Sequence, residues 1–358
     1  MALQRQLQRS LTWLAAGSCL TILIPASLGS AVAQAGSQGQ SAGAPGQGVR
    51  IGGSSTVFPV LQEARKDYRA AGNTVAIDLQ ESGTSDGFRH FCAGHLAIAN
   101  ASRPINSKEL KLCASKGITF IELPIAFDAL TVVVHPSNTW AAAISTKELA
   151  RLWGRQAQGV VDRWDEVNAA WPKRPIKLCG PGKDSGTFDY FNKAINGDPD
   201  NSRTDYTSSE DDQVIVRCVA SNPNALGYFG FGYYANNSQK LRALPIASSA
   251  AAVMPSLANV QAGRYQPLSR PLFVYINDKD LQTSNDVRSF STYLVRNGLR
   301  LVEEAGMIPL PASTYRLVET KLYRRIPGTA FGGDLPVGLS IGEALRRSFD
   351  ETKRPQYR

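Results

Sequence analysis

The sequence predicts an α/β fold with mostly parallel sheets flanked by helices. Three observations lead there. Apolar strand-like runs alternate with runs of helical periodicity, as in "VRIGG", "TVFPVLQEARKDYRAA", "TVAIDLQ" and "GTSDGFRHFCAG". Several strand-like runs are apolar throughout, as strands covered on both faces are: "ITFIELPIAFDALTVVVHP", "PIKLCG" and "PLFVYIN". Turns rich in Ser, Thr and Gly recur between a strand and the following helix. At 358 residues, 43% of them hydrophobic, the chain can bury a large core and is long enough for two lobes.

Taken in order, residues 1–33 have the three parts of a secretory leader. "MALQRQLQRS" is basic, "LTWLAAGSCLTILIPASLG" is apolar, and Ala31 to Ala33 give a small-residue exit. Ser18 and Pro25 interrupt the apolar part, which disfavours a permanent membrane span. Cys19 sits in "AGSC", a poor lipid-attachment motif, so a cleaved leader and a periplasmic protein are expected. Residues 34–48, "QAGSQGQSAGAPGQG", are too poor in apolar residues to fold and read as a flexible tether. In the first helix Val57, Leu61, Ala64 and Tyr68 recur at helical spacing and make one buried stripe. "HLAIANAS" and "NALGYFGFGYY" complete the predicted strands, and "GGDLPVGLSIGEALRRSFDETKRPQYR" reads as a short appended helix with a charged tail.

Net charge is +9, but basic residues are interleaved with acidic ones in "EARKDYR" and "LVETKLYRR". Such mixing describes a solvated surface rather than a nucleic-acid groove. Four cysteines follow the leader, Cys92, Cys113, Cys179 and Cys218. In an oxidising compartment Cys92 is expected to pair with Cys113 and Cys179 with Cys218, because each pair is close in sequence. Neither they nor His90, His95 and His135 are spaced as metal ligands, so no metal is expected.

Three turns share one chemistry. The N-terminus of a helix offers free backbone N–H groups, aided by the helix dipole, and so suits an anion. "GGSSTVFPV" places Ser54, Ser55 and Thr56 between a strand and a helix. "ESGTSDGF" repeats this with Ser82, Gly83, Thr84 and Ser85, and "KDSGTFDYF" with Ser185, Gly186 and Thr187, followed by Phe188, Phe191, Ala194 and Ile195 on one helical face. "ANASRPI" adds Ser102 and Arg103, and an arginine fork suits a tetrahedral oxyanion. Other readings of "CGPGKDSGTFDYF" fail on spacing. Lys183 is followed by Asp184, not by the Ser or Thr of a nucleotide loop; Asp184-Ser-Gly has no second copy for an acid protease; and Ser185 lacks the G-x-S-x-G frame of a serine hydrolase.

Taken in order, "GGSSTVFPV", "ESGTSDGFRHFCAG", "IANASRPI", "STKELARLWGRQAQGVVDRWDEV", "GPGKDSGTFDYF" and "ALGYFGFGYY" resemble the periplasmic phosphate-binding proteins of the high-affinity phosphate ABC transporter, in particular the cyanobacterial-type subgroup. The resemblance runs from about Val49 to about Leu317. It implies a two-lobed periplasmic-binding-protein fold of type II, with two crossover strands near "IAFDAL" and between "LRALPIA" and "PLFVYIN". Lobe 1 would hold residues 49–127 and 272–320, lobe 2 residues 128–271, and residues 321–358 a C-terminal extension. Family ligand positions fall on Ser55, Thr56, Thr84, Ser185, Gly186 and Thr187, with Ser54 and Ser82 beside them. The implied protein is a non-catalytic monomer without cofactor that delivers phosphate to a membrane permease.

Two departures matter. Many members of that family carry Asp where Ser102 stands here and Arg where Pro181 stands, and Arg103 is expected to restore the charge. Without that Asp, the acceptor for the phosphate proton falls to Asp184 or Asp86, each of which reads more readily as a helix cap. Sulfate and arsenate therefore stay open as ligands, as does a periplasmic phosphatase from a different class.

Overall fold

The computed structural model describes residues 48–248 and 251–350. The expected leader, Cys19, nearly all of the tether and the end of the charged tail lie outside them. Among the described residues twelve strands run in chain order: β1 (Val49–Gly53), β2 (Ile77–Glu81), β3 (Ile98–Ala101), β4 (Phe120–Val134), β5 (Ile144–Ser145), β6 (Lys177–Pro181), β7 (Thr207–Ser209), β8 (Ala225–Gly230), β9 (Arg242–Ala243), β10 (Ile246–Ala247), β11 (Ser269–Asn277) and β12 (Ile308–Pro309). Eight of them follow one another as β2-β1-β3-β11-β4-β8-β6-β7, with β12 and β9 both paired to β4.

The parallel pairs lie within the lobes: β1 with β2 and β3, β6 with β7 and β8, and β5 with β10 in a separate two-stranded sheet. The crossover strands β4 and β11 run antiparallel to their neighbours, so the expectation of mostly parallel sheets describes each lobe's own strands and not the join. All fifteen residues of β4 are buried. It pairs with β11 through Phe120 to Ala129 and with β8 through Leu130 to Val134, so one strand serves both lobes and changes partner midway. This change falls at "IAFDAL", where the sequence places the first crossover.

Helices cover the strands through the stripes their periodicity implies. In the Phe58–Ala70 helix Val60, Leu61, Ala64 and Tyr68 are buried, and Pro59 occupies the first turn, where its missing N–H costs nothing. The Ser107–Ser115 and Thr146–Trp153 helices each begin with a capping box, Asn106 with Glu109 and Ser145 with Glu148. In the second lobe Phe191 stacks on Tyr228 at 3.9 Å, and Trp153 meets both edge-on. "NALGYFGFGYY" splits: the strand ends at Gly230 and Phe231–Ala235 turns helical, because the Asp128 carboxylate accepts from the Phe231 N–H at 2.9 Å.

Both expected disulfides form, Cys92–Cys113 and Cys179–Cys218. The first joins the Thr84–Cys92 and Ser107–Ser115 helices, and the second ties β6 to the Asp212–Ala220 helix. Cross-links that close loops of 21 and 39 residues are expected to contribute about 3 and about 4 kcal/mol respectively, mainly by restricting the unfolded chain. The Cys179→Ala/Cys218→Ala variant should therefore lose about 4 kcal/mol in denaturant unfolding. An unchanged unfolding midpoint would contradict this.

Candidate functional site

The loops that follow β1, β2 and β3 are stitched together at one sheet edge. Ser54 N–H donates to the Asn100 carbonyl at 3.0 Å, and the Asn100 side chain returns a bond to the Ser54 carbonyl at 2.8 Å. Ser82 and Gly83 N–H both donate to the Gly53 carbonyl. Gly83 has φ +89°, a region that favours glycine, and it starts the helix that opens with Thr84. Thr84 Oγ1 then accepts from Ser102 N–H at 3.2 Å and lies 3.3 Å from Ser102 Oγ.

From the second lobe, β6 leads into the Gly186–Asn196 helix, capped by Ser185, whose Oγ accepts from Thr187 N–H at 3.1 Å. This helix N-terminus abuts the first-lobe turns. Thr56 Oγ1 and Thr187 Oγ1 are 3.1 Å apart, and Ser85 N–H donates to the Asp184 carbonyl at 2.8 Å. A Cβ on Gly186 would stand 2.6 Å from Thr84 Oγ1 and 2.7 Å from Ser102 Oγ, so only glycine permits this approach. The structure thus gathers Thr56, Thr84, Ser102, Ser185, Gly186 and Thr187 from four loops, all buried, with Ser54 and Ser55 buried in the same first turn as Thr56. Ser82 flanks the group, partly buried, and joins it through its backbone.

Sequence reasoning missed the charge at the centre, Arg270 at the start of β11. It is 0% exposed and pairs across the strands with Asp128 of β4, its register partner. Its Nε and Nη2 donate to Asp128 Oδ2 at 3.1 and 2.7 Å. Nη2 also reaches Thr187 Oγ1 at 2.9 Å and Thr56 Oγ1 at 3.3 Å. Nη1 is buried without a protein partner, as is Ser54 Oγ. A buried donor with no acceptor costs about 1–3 kcal/mol, which a bound oxyanion would offset. The available signal was a charged residue in each of two otherwise apolar runs, "IAFDAL" and "SRPLFVYIN".

Two expected site residues are placed differently. Arg103 is buried, but all five of its N–H donors are taken: by Asp189 at 2.6 Å, Glu109 at 2.7 and 2.8 Å, Ser85 Oγ at 2.9 Å and the Pro104 carbonyl at 3.0 Å. It fastens the two lobes together at the cleft edge and offers nothing to a ligand. The Asp184 side chain is 42% exposed and pairs with Arg89 at 2.8 Å, so it is neither cap nor cleft acceptor; Ser185 is the cap. Asp86 pairs with the same Arg89.

Carboxyl groups also crowd behind the first turn. Asp212, from the second lobe, is buried, bonded by Ser55 and left with Oδ2 unpartnered; burial pushes its pKa up to about 7. Glu81, at the end of β2, is pushed up to about 7 by burial and then by the charge of Asp212. Among the described residues no group of His, Cys, Asp and Glu is arranged to hold a metal ion, and no helix is long and apolar enough to cross a membrane.

Residues 32–297 match the family model described as the PBP superfamily domain. The chain is 42% identical over 301 residues to Protein SphX of Synechocystis, covering 84% of this chain and 90% of that one. It is 31% identical over 289 residues to the phosphate-binding protein PstS of Staphylococcus saprophyticus, covering 80% and 88%. Among solved structures, a possible phosphate-binding protein from Planctomyces limnophilus superposes with a TM-score of 0.59 at 38% identity, over 78% of this chain and 99% of that one. A putative phosphate ABC transporter substrate-binding protein from Clostridium perfringens, solved with bound phosphate, shares the fold with a TM-score of 0.62 at 22% identity, over 74% and 99%.

The Asp212 carboxyl gives a pH signature. Its folded-state pKa lies above its unfolded one, so its contribution is fully present below about pH 4 and is lost as pH rises towards 7. Asp212→Asn should raise the unfolding temperature relative to the parent above pH 7, and the gain should vanish towards pH 4. A difference independent of pH would show that this carboxyl does not titrate in the fold.

Proposed function

The chain belongs to the PBP superfamily and, within it, to the phosphate-binding protein family of SphX and PstS, and on that premise we propose that it captures inorganic phosphate between its two lobes for delivery to an ABC transporter permease. Members of this family are substrate-binding proteins and not enzymes. The observation that carries the reading is the buried Arg270, with an open Nη1, set where hydroxyls and three helix N-termini converge. The ligand set is Ser54, Ser55, Thr56, Thr84, Ser102, Ser185, Gly186 and Thr187, with the charge supplied by Arg270 and oriented by Asp128. Helix N-termini give directed N–H donors without mobile charge, and one fixed guanidinium neutralises the anion in a site closed to water.

The lobes comprise residues 49–127 with 272–320, and 128–271, a division supported by the change of partner along β4. Ligand that touches both lobes favours their closed arrangement, which a permease can tell from the open one. Residues 1–33 act as a cleaved leader to the periplasm, where the two disulfides are stable.

Calorimetry on the phosphate-stripped mature protein should give saturable heat with phosphate; no heat with phosphate would overturn the reading. Arg270→Ala should weaken phosphate binding by roughly 100-fold or more, since it strands Asp128 as well as removing the charge. Arg103→Ala should instead appear first as a loss of stability, about 3–5 kcal/mol, because Glu109 and Asp189 lose their buried partner.

A further inference from the structure

Residues 326–349 contribute nothing to the cradle, yet they touch both lobes. On the first lobe, Gly328 N–H donates to the Phe120 carbonyl at 2.9 Å, and Thr329 Oγ1 and Ala330 N–H donate to the buried Glu122 carboxylate at 2.5 and 3.0 Å. The Gly333 carbonyl accepts from Ser107 N–H at 3.2 Å. The segment then crosses to the second lobe, where Gly338 N–H donates to Tyr190 Oη at 2.9 Å. Leu335, Val337, Leu339, Ile341 and Leu345 pack on the main core, and Ala344 is buried in it. The far end is fastened by the buried Lys321, whose Nζ donates to the Ser348 carbonyl at 3.1 Å.

Tyr190 links this segment to the ligand site. It lies one turn into the Gly186–Asn196 helix, whose first residues are Gly186 and Thr187. Its Oη donates to the Ser269 carbonyl at 2.6 Å, immediately before Arg270, and its ring lies 5.8 Å from the Arg270 guanidinium carbon. One phenol therefore accepts from the C-terminal segment, holds the strand that carries the central cation and belongs to the helix that carries the anion-binding turn.

We propose that residues 326–349 are a strap from the first lobe to the second, and that through it Tyr190 is a positioning residue that keeps Arg270 and Thr187 in register and the lobes near their closed spacing before ligand arrives. The proposal rests on the phosphate reading only for its effect on affinity. A protein that is already close to closed loses less affinity to the conformational step, because apparent affinity scales with the populated fraction of the competent state. The strap thus raises the apparent affinity without touching the ligand.

The test places spin labels at Lys108→Cys and Lys193→Cys, on opposite walls of the cleft mouth. It compares the full mature chain, a chain ending at Asp334 and Tyr190→Phe, each without and with inorganic phosphate. The ligand-free distance should be short and narrow in the full chain, and longer or broader in both variants. Phosphate should bind the variants about tenfold more weakly, as expected if the competent fraction falls about tenfold. Ligand-free distances identical in all three proteins would overturn the strap, as would a lower unfolding temperature with unchanged distances and affinity. If the shortened chain does not fold, Tyr190→Phe alone decides, since it removes one oxygen atom. If the full chain binds no phosphate, the distances still report on the strap while the binding reading fails by itself.

Discussion

Arg270 and Asp128 form a cross-strand ion pair with no access to solvent, and the rest of the architecture is arranged around it. Removing two charges from water is costly, and their attraction compensates only when the geometry is good and the remaining donors and acceptors are used. Here Asp128 Oδ1 starts a helix, Oδ2 takes two bonds from the guanidinium, and Nη2 goes on to a hydroxyl from each lobe. Only Nη1 stays unmatched, which converts an expensive structural pair into a site with one unfilled valence. The location follows from topology. Both crossover strands pass through this point, so a charge placed here is equally available to loops of either lobe.

Closeness of approach comes from small residues rather than from charge. Gly186 lets the second-lobe helix end lie against Thr84 and Ser102, and the hydroxyls of Thr56 and Thr187 meet across the cleft. Around this hydroxyl-lined centre lies a ring of ion pairs, Arg103 with Glu109 and Asp189, and Arg89 with Asp86 and Asp184. Buried hydroxyls and N–H groups cost less to leave ready for an anion than a buried guanidinium without a carboxylate does.

Much of this was legible in the sequence. The strand and helix alternation, the first crossover, the Ser/Thr-Gly turns and both disulfide pairings depend on local pattern or short separation, which a chain displays directly. Arg270 and Asp128 were not legible, because they are 142 residues apart and each reads alone as a stray charge in a buried strand. Arg103 was misread for the opposite reason: a conspicuous cation next to a cleft turn looks like a ligand until its acceptors are counted. One of them was within view, since Glu109, six residues on, closes the capping box with Asn106 and was free to turn back. Asp184 was misread because two adjacent residues, Asp184 and Ser185, both suit a helix cap, and only backbone geometry separates them.

Hydrogen-bonded strands run in sequence from β2 to β7, with a register irregularity between β11 and β4 at Leu272/Phe273, and β4 runs through the middle with every residue buried. A molecule whose lobes are joined by a loop swings freely; one joined by the interior of a sheet has to change the sheet's twist. Movement between the lobes then has to pass through backbone that is itself hydrogen-bonded in β4 and β11, and not through a free linker. Side chains far from the cleft that pack on β4 and β11 therefore belong to the hinge as much as residues that face the ligand do.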